Sequence, residues 1–187
     1  MKILYGIQGT GNGHLTRAME LIPHLQQKGD VEILISGEQY DLPLTFEPTY
    51  RMKGLYFVFG KNGGIDLKAT FNKINSFRFI KEISNFPIEK YDLVISDFEP
   101  VSAWACNRAN KNCIGLSNQA ATLHPLAPKP KTFDPLGKLI LEYYAPTTVC
   151  YGFHFKKLSP QIFTPIIRKE VRALKPENTG HFTVYLP

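Results

Sequence analysis

The chain has 187 residues, 43% hydrophobic and 20% charged, with a net charge of +6. That balance can bury one core and excludes a disordered chain, and no apolar stretch approaches the roughly 20 residues that a bilayer-crossing helix requires. The three cysteines, Cys106, Cys113 and Cys150, match no metal-ligand spacing and are odd in number, so free thiols in a cytoplasmic protein are expected.

The first predicted element is a strand at KILYGIQ (Lys2–Gln8), a nearly continuous apolar run like a buried parallel strand. No long apolar region with a small-residue cleavage site stands there, so no signal peptide is expected. A glycine-rich loop follows. Leu15, Ala18, Met19, Ile22 and Leu25 then recur at helical spacing, with Pro23 expected to kink the helix and Gly29 to stop it. VEILIS (Val31–Ser36) is the next strand and closes a β-α-β unit. Residues 37–66 are irregular, with GLYFVFG as a candidate strand. Leu67, Phe71, Ile74, Phe77, Ile80 and Ile83 predict an amphipathic helix whose other face carries Lys73, Arg78 and Lys81. From Arg51 to Lys81 there are seven basic residues against one acid, Asp66. That is either a solvated face or a patch for an anionic partner. Its aromatics fall at core spacing rather than as a stacking surface, so no nucleic acid is expected.

YDLVISDFEP (Tyr91–Pro100) holds a strand ending in Asp97, followed by a helix over 101–110 and a strand at NCIGLSN. Residues 122–137 read as a proline-rich loop, LGKLILEYYA as a helix and TTVCYGF as a strand. Strands alternating with helices predict an α/β fold with a doubly wound parallel sheet. KPENTG (Lys175–Gly180) reads as a linker, and HFTVYLP as a strand with no partner of its own.

Gly9, Gly11 and Gly13 lie between a strand and a helix, where bare backbone and a helix N-terminus suit a phosphate or diphosphate. The alternative is a tight turn. The loop is neither the dinucleotide fingerprint, since His14 and Thr16 stand where glycines are needed, nor a P-loop. His14 falls in the first helical turn, beside the crevice where doubly wound sheets bind ligands. The helix N-terminus favours its neutral ring, which can take a proton from a hydroxyl; otherwise the ring packs at the turn. Asp97 ends a strand at the same sheet edge. It either orients His14 or caps the next helix. Asp97 and Glu99 do not complete a magnesium or manganese site, and no metal is expected. Ser117, Asn118 and Gln119 at the next strand end either read substrate hydroxyls or simply terminate a strand. His24, His124, His154 and His181 show no constellation.

GTGNGHLTRA together with DLVISDFEP resembles the N-terminal half of GT-B-fold glycosyltransferases. The likeness is to bacterial and archaeal proteins related to the UDP-glycosyltransferases and to the peptidoglycan enzyme that forms lipid II. TPIIRKEV (Thr164–Val171) resembles the segment before the interdomain linker of that family. The resemblance implies a doubly wound Rossmann-like parallel sheet that is one half of a GT-B fold. Residues 1–174 would be an N-terminal acceptor-binding domain. Residues 175–187 would be the linker and first strand of a C-terminal donor-binding domain that is missing here, leaving the chain without most of its donor site and inactive alone. It implies an inverting, metal-independent transferase of the hexosyltransferase type, moving a sugar from a nucleotide-sugar to an acceptor hydroxyl. His14 would be the base and Asp97 its partner. Gly9, Thr10, Gly11, Asn12, Gly13, Arg17, Ser117, Asn118 and Gln119 would face the donor diphosphate and the acceptor. The donor implied is a UDP-sugar, with no cofactor. The basic helix 67–83 would touch the inner face of a membrane carrying a lipid acceptor. The competing reading is a non-catalytic Rossmann-like nucleotide-binding or regulatory module.

Overall fold

The computed structural model describes residues 1–55, 75–129, 134–182 and 184. Its centre is a sheet of seven strands, β1 (Lys2–Thr10), β2 (Asp30–Gln39), β3 (Tyr50–Met52), β4 (Leu93–Asp97), β5 (Ile114–Ser117), β6 (Val149–Phe153) and β7 (Ile162–Phe163). They lie in the order β3-β2-β1-β4-β5-β6-β7, and every pairing is parallel. The helices are α1 (Asn12–Gln26), α2 (Ser76–Asn85), α3 (Pro100–Arg108), α4 (Asn118–Leu123), α5 (Pro135–Tyr143) and α6 (Lys169–Arg172). The predicted α/β, doubly wound parallel sheet is therefore what the chain forms.

Strand alternation sends β1 and its neighbours into two cores. Ile3, Tyr5, Ile7, Ile33, Ile35 and Ile95 pack with Leu15, Ala18 and Ile22 of α1. Leu4, Leu34 and Val94 point the other way, onto Phe79 of α2 and Val101, Ala105 and Cys106 of α3. β1 stands between β2 and β4, and beyond it the strand order reverses. That reversal opens a crevice at the carboxyl ends of β1 and β4, where Ile7 is in register with Asp97.

Several expectations change. β1 runs on to Thr10, so Gly9 and Thr10 are strand residues and the loop is shorter than expected. α1 continues through Pro23 to Gln26, short of Gly29. The edge strands β3 and β7 were not foreseen. Of the helix expected over 67–83, the part described is α2, and its inner face differs: Phe77 is 83% and Ile80 59% exposed, while Phe79 is buried. Glu82 of α2 accepts from the backbone N–H groups of Lys53 and Gly54, which rolls the helix so that Phe79 meets the sheet. The GLYFVFG segment lies outside the described residues. Residues 175–182 carry no regular element, and most of the strand expected after them is likewise outside.

At the opposite edge of the sheet, Glu32 gathers Lys2 (2.7 Å), Lys90 (2.8 Å), Tyr91 (2.5 Å) and Tyr50 (3.2 Å). Burial pushes its carboxyl up, but these donors outweigh it and lower the pKa from 4.5 to about 2. A depressed carboxyl contributes stability that is complete above its unfolded value and is lost as pH falls through the folded one. Between about pH 4.5 and about 2, thermal melts should therefore fall more steeply for the wild type than for Glu32→Gln. Parallel curves would show that the cluster is not coupled to folding.

Candidate functional site

The crevice is lined by the end of β1, the start of α1 and the end of β4. Gly11 caps α1 with φ 91, a conformation that favours glycine, and no side chain caps the helix. A Cβ on Gly11 or Gly13 would meet nothing within 4 Å. Gly9 is different: its Cβ would lie 2.7 Å from the carbonyl oxygen of Gly37 and 3.0 Å from that of Ser36. β2 carries one extra residue there, where the register shifts between Gln8 and Thr10. Gly9 thus serves the sheet, and Gly11 and Gly13 serve the open mouth. Gly9→Ala is expected to cost about 1–3 kcal/mol by overpacking, whereas Gly13→Ala should keep or raise the melting temperature. Equal melting temperatures for the two variants would contradict this division.

His14 and Arg17 lie one turn apart on α1 and both reach Asp97. His14 Nδ1 is 2.8 Å from Asp97 Oδ1. Arg17 grips the same carboxylate with two bonds, Nε to Oδ2 and Nη2 to Oδ1, each 2.7 Å. Tyr5 donates to Oδ2 at 3.4 Å. Asp97 is fully buried, and the His14 side chain is 13% exposed. Burial pushes the Asp97 carboxyl up, but His14 and Arg17 outweigh burial and leave it below its ordinary value. Burial works against the Arg17 charge too, and Asp97 reverses that, so the guanidinium pKa is raised. Burial, then the charge of Asp97, holds the Tyr5 phenol well above its usual range. Two lone pairs do not approach to 2.8 Å, so the proton between His14 and Asp97 sits on Nδ1. With Nδ1 engaged by Asp97, Nε2 is the ring nitrogen through which a general base would act.

Asp97 does not cap α3. Phe98 takes a positive φ of 55, the chain turns, and Glu99 caps instead, accepting from Val101 N (2.6 Å) and Ser102 N (2.7 Å). Burial raises the Glu99 pKa, with the Ser102, Ser36 and Val101 donors acting against it. The two acids therefore face opposite sides of the sheet rather than one metal ion. Among the described residues no group of three or more His, Cys, Asp or Glu could hold a metal.

The other candidates divide. Asn118 Oδ1 accepts from Arg17 Nη1 at 3.2 Å and joins the cluster. Thr10 accepts from Gln8 at 3.1 Å, and Asn12 donates to Asp41 at 2.6 Å at the exposed rim. Ser117 caps α4 through Ala120 N. Ser117 and Gln119 line a cavity of about 100 Å³ with Ser96, on the other face of β4 from Asp97. Sequence reasoning missed the fork of Arg17 on Asp97 and the cap by Glu99. The spacing of His14 and Arg17 was a usable signal for the first, and glutamate before the first helical proline for the second.

Among the described residues, no helix is long and apolar enough to cross a membrane. The whole chain, residues 1–187, matches the family described as glycosyl transferase family 1. No curated protein matches it. Among solved structures, MurG from Acinetobacter baumannii is similar at 12% identity and a TM-score of 0.44, over 87% of this chain and 44% of that one. The chain thus spans less than half the length of that protein.

Proposed function

The chain belongs to glycosyl transferase family 1, and from that premise we propose that it is the acceptor-binding half of an inverting, metal-independent glycosyltransferase of GT-B architecture. The observation that carries this reading is the hydrogen bond between His14 and the buried Asp97 at the mouth of the crevice. His14 Nε2 takes the proton of an acceptor hydroxyl as that oxygen attacks the anomeric carbon and the nucleoside diphosphate leaves from the opposite face. Asp97 holds the ring and balances the imidazolium formed. The uncapped start of α1, with Gly11 and Gly13, faces the diphosphate, whose negative charge grows as it departs. The donor is a UDP-sugar, held mainly by a second domain to which residues 175–187 lead.

A membrane contact through α2 belongs to the same reading. Phe77 and Ile80 are exposed beside Arg78 and Lys81, a combination that suits an anionic lipid surface.

The test is transfer from α-configured UDP-sugars by a two-domain protein containing this chain, with the product anomer read by proton NMR. A β-linked product is expected. An α-linked product overturns single displacement, and tight NAD binding without transfer would favour the non-catalytic nucleotide-binding module.

A further inference from the structure

The hydrogen bonds around Asp97 assign Arg17 a role that goes beyond binding substrate. We propose that Arg17 is a positioning residue that pins both oxygens of Asp97 and balances its charge, so that His14 is presented in one tautomer with Nε2 bare. The proposal rests on the reading of His14 as the base.

The guanidinium has little capacity left for a ligand. Nε and Nη2 hold the carboxylate, Nη1 holds Asn118, and the cation lies 5.2 Å from the centre of the Phe153 ring. Its side chain is 8% exposed. It therefore ties α1 to β4, to the start of α4 and to β6, and through Asn118 and Phe153 it cannot swing away from Asp97 without breaking contacts on two further elements. A fork bonded to both oxygens fixes the plane of the carboxylate. Oδ1 is then held where His14 Nδ1 must donate to it.

Charge follows the same geometry. Asp97 of β4 and Arg17 of its own helix, 3.0 Å from Nδ1, face His14, and Tyr5 of β1 is bonded to the same Asp97. An aspartate without Arg17 would present a full buried negative charge to the ring and favour the imidazolium. With Arg17 in place the pair is close to neutral.

The test is nitrogen-15 NMR of the histidine rings in this chain, with His14 assigned by its loss in His14→Gln. In the wild type a single tautomer protonated at Nδ1 is expected. In Arg17→Gln the ring should exchange between tautomers, and its titration midpoint should rise by about one pH unit or more. Arg17→Lys restores the charge without the fork, so the midpoint should return towards the wild type while the tautomer mixture persists. A purely structural Arg17 would lower the melting temperature of Arg17→Gln and leave tautomer and midpoint unchanged; that result overturns the proposal. Should Arg17→Gln fail to fold, Arg17→Lys decides, and a single Nδ1-protonated ring in it would also overturn the proposal. Full transfer by His14→Ala in the two-domain protein would remove the base itself, a failure that the ring spectra do not share.

Discussion

On the proposed mechanism, transfer by a two-domain protein containing this chain is expected to fall by about 10²–10⁴-fold when His14 is replaced by alanine, with the melting temperature nearly unchanged. The two halves of that expectation come from different contacts. The chemistry would be lost because, in the proposed mechanism, His14 supplies the ring nitrogen that takes the acceptor's proton. The fold survives because Asp97 keeps both its bonds to Arg17, at 2.7 Å each, so no buried charge is left unpaired. His14 itself sits at the start of α1, where alanine is a good helix former. Measured together, kcat and a thermal melt separate a catalytic ring from a packed one. Undiminished kcat rejects the base, and a large fall in melting temperature shows that the ring was structural.

The strands that build the crevice were legible because they are buried on both faces and read as apolar runs. The edge strands were not. β3 and β7 have three and two residues, and their hydrogen bonds to a neighbouring strand, rather than any pattern of their own, make them strands. Helix α2 shows the limit of periodicity. Phe77 and Ile80 form one apolar stripe, and Phe79 and Ile83 form another. The inner one is chosen by Glu82 reaching Lys53 and Gly54, far away in sequence. The site shows the same division. A glycine loop followed by histidine announces a helix start at a strand end, and an apolar run closed by aspartate announces a second strand end at the same edge. That Glu99 takes the cap and leaves Asp97 for His14 depends on the turn at Phe98, and that Arg17 faces inward depends on a partner 80 positions away.

Asp97 is where stability and chemistry should fail together. Asp97→Ala leaves the buried guanidinium of Arg17 without its carboxylate, and breaking one side of a buried pair costs about 3–5 kcal/mol. Asp97→Asn should fare little better for the fold, because its amide turns a donor towards one arm of a guanidinium that only donates. It should also lower kcat by about 10³–10⁴-fold, since a neutral amide no longer balances the imidazolium formed and can turn its NH2 instead of its oxygen to Nδ1. A double replacement distinguishes pairing from packing. Asp97→Leu with Arg17→Met removes both charges and keeps apolar volume, so urea denaturation should recover most of the stability lost in Asp97→Leu alone. Transfer should not recover. The pH dependence follows from the lowered Asp97 pKa: this carboxylate stabilises the fold above its unfolded value, and that contribution is lost as pH falls through the folded one. The acid arm of the stability curve should therefore be shallower in the double variant than in the wild type. If the two single replacements instead add without coupling, the ion pair does not hold the crevice together, and His14 must be oriented by something other than Asp97.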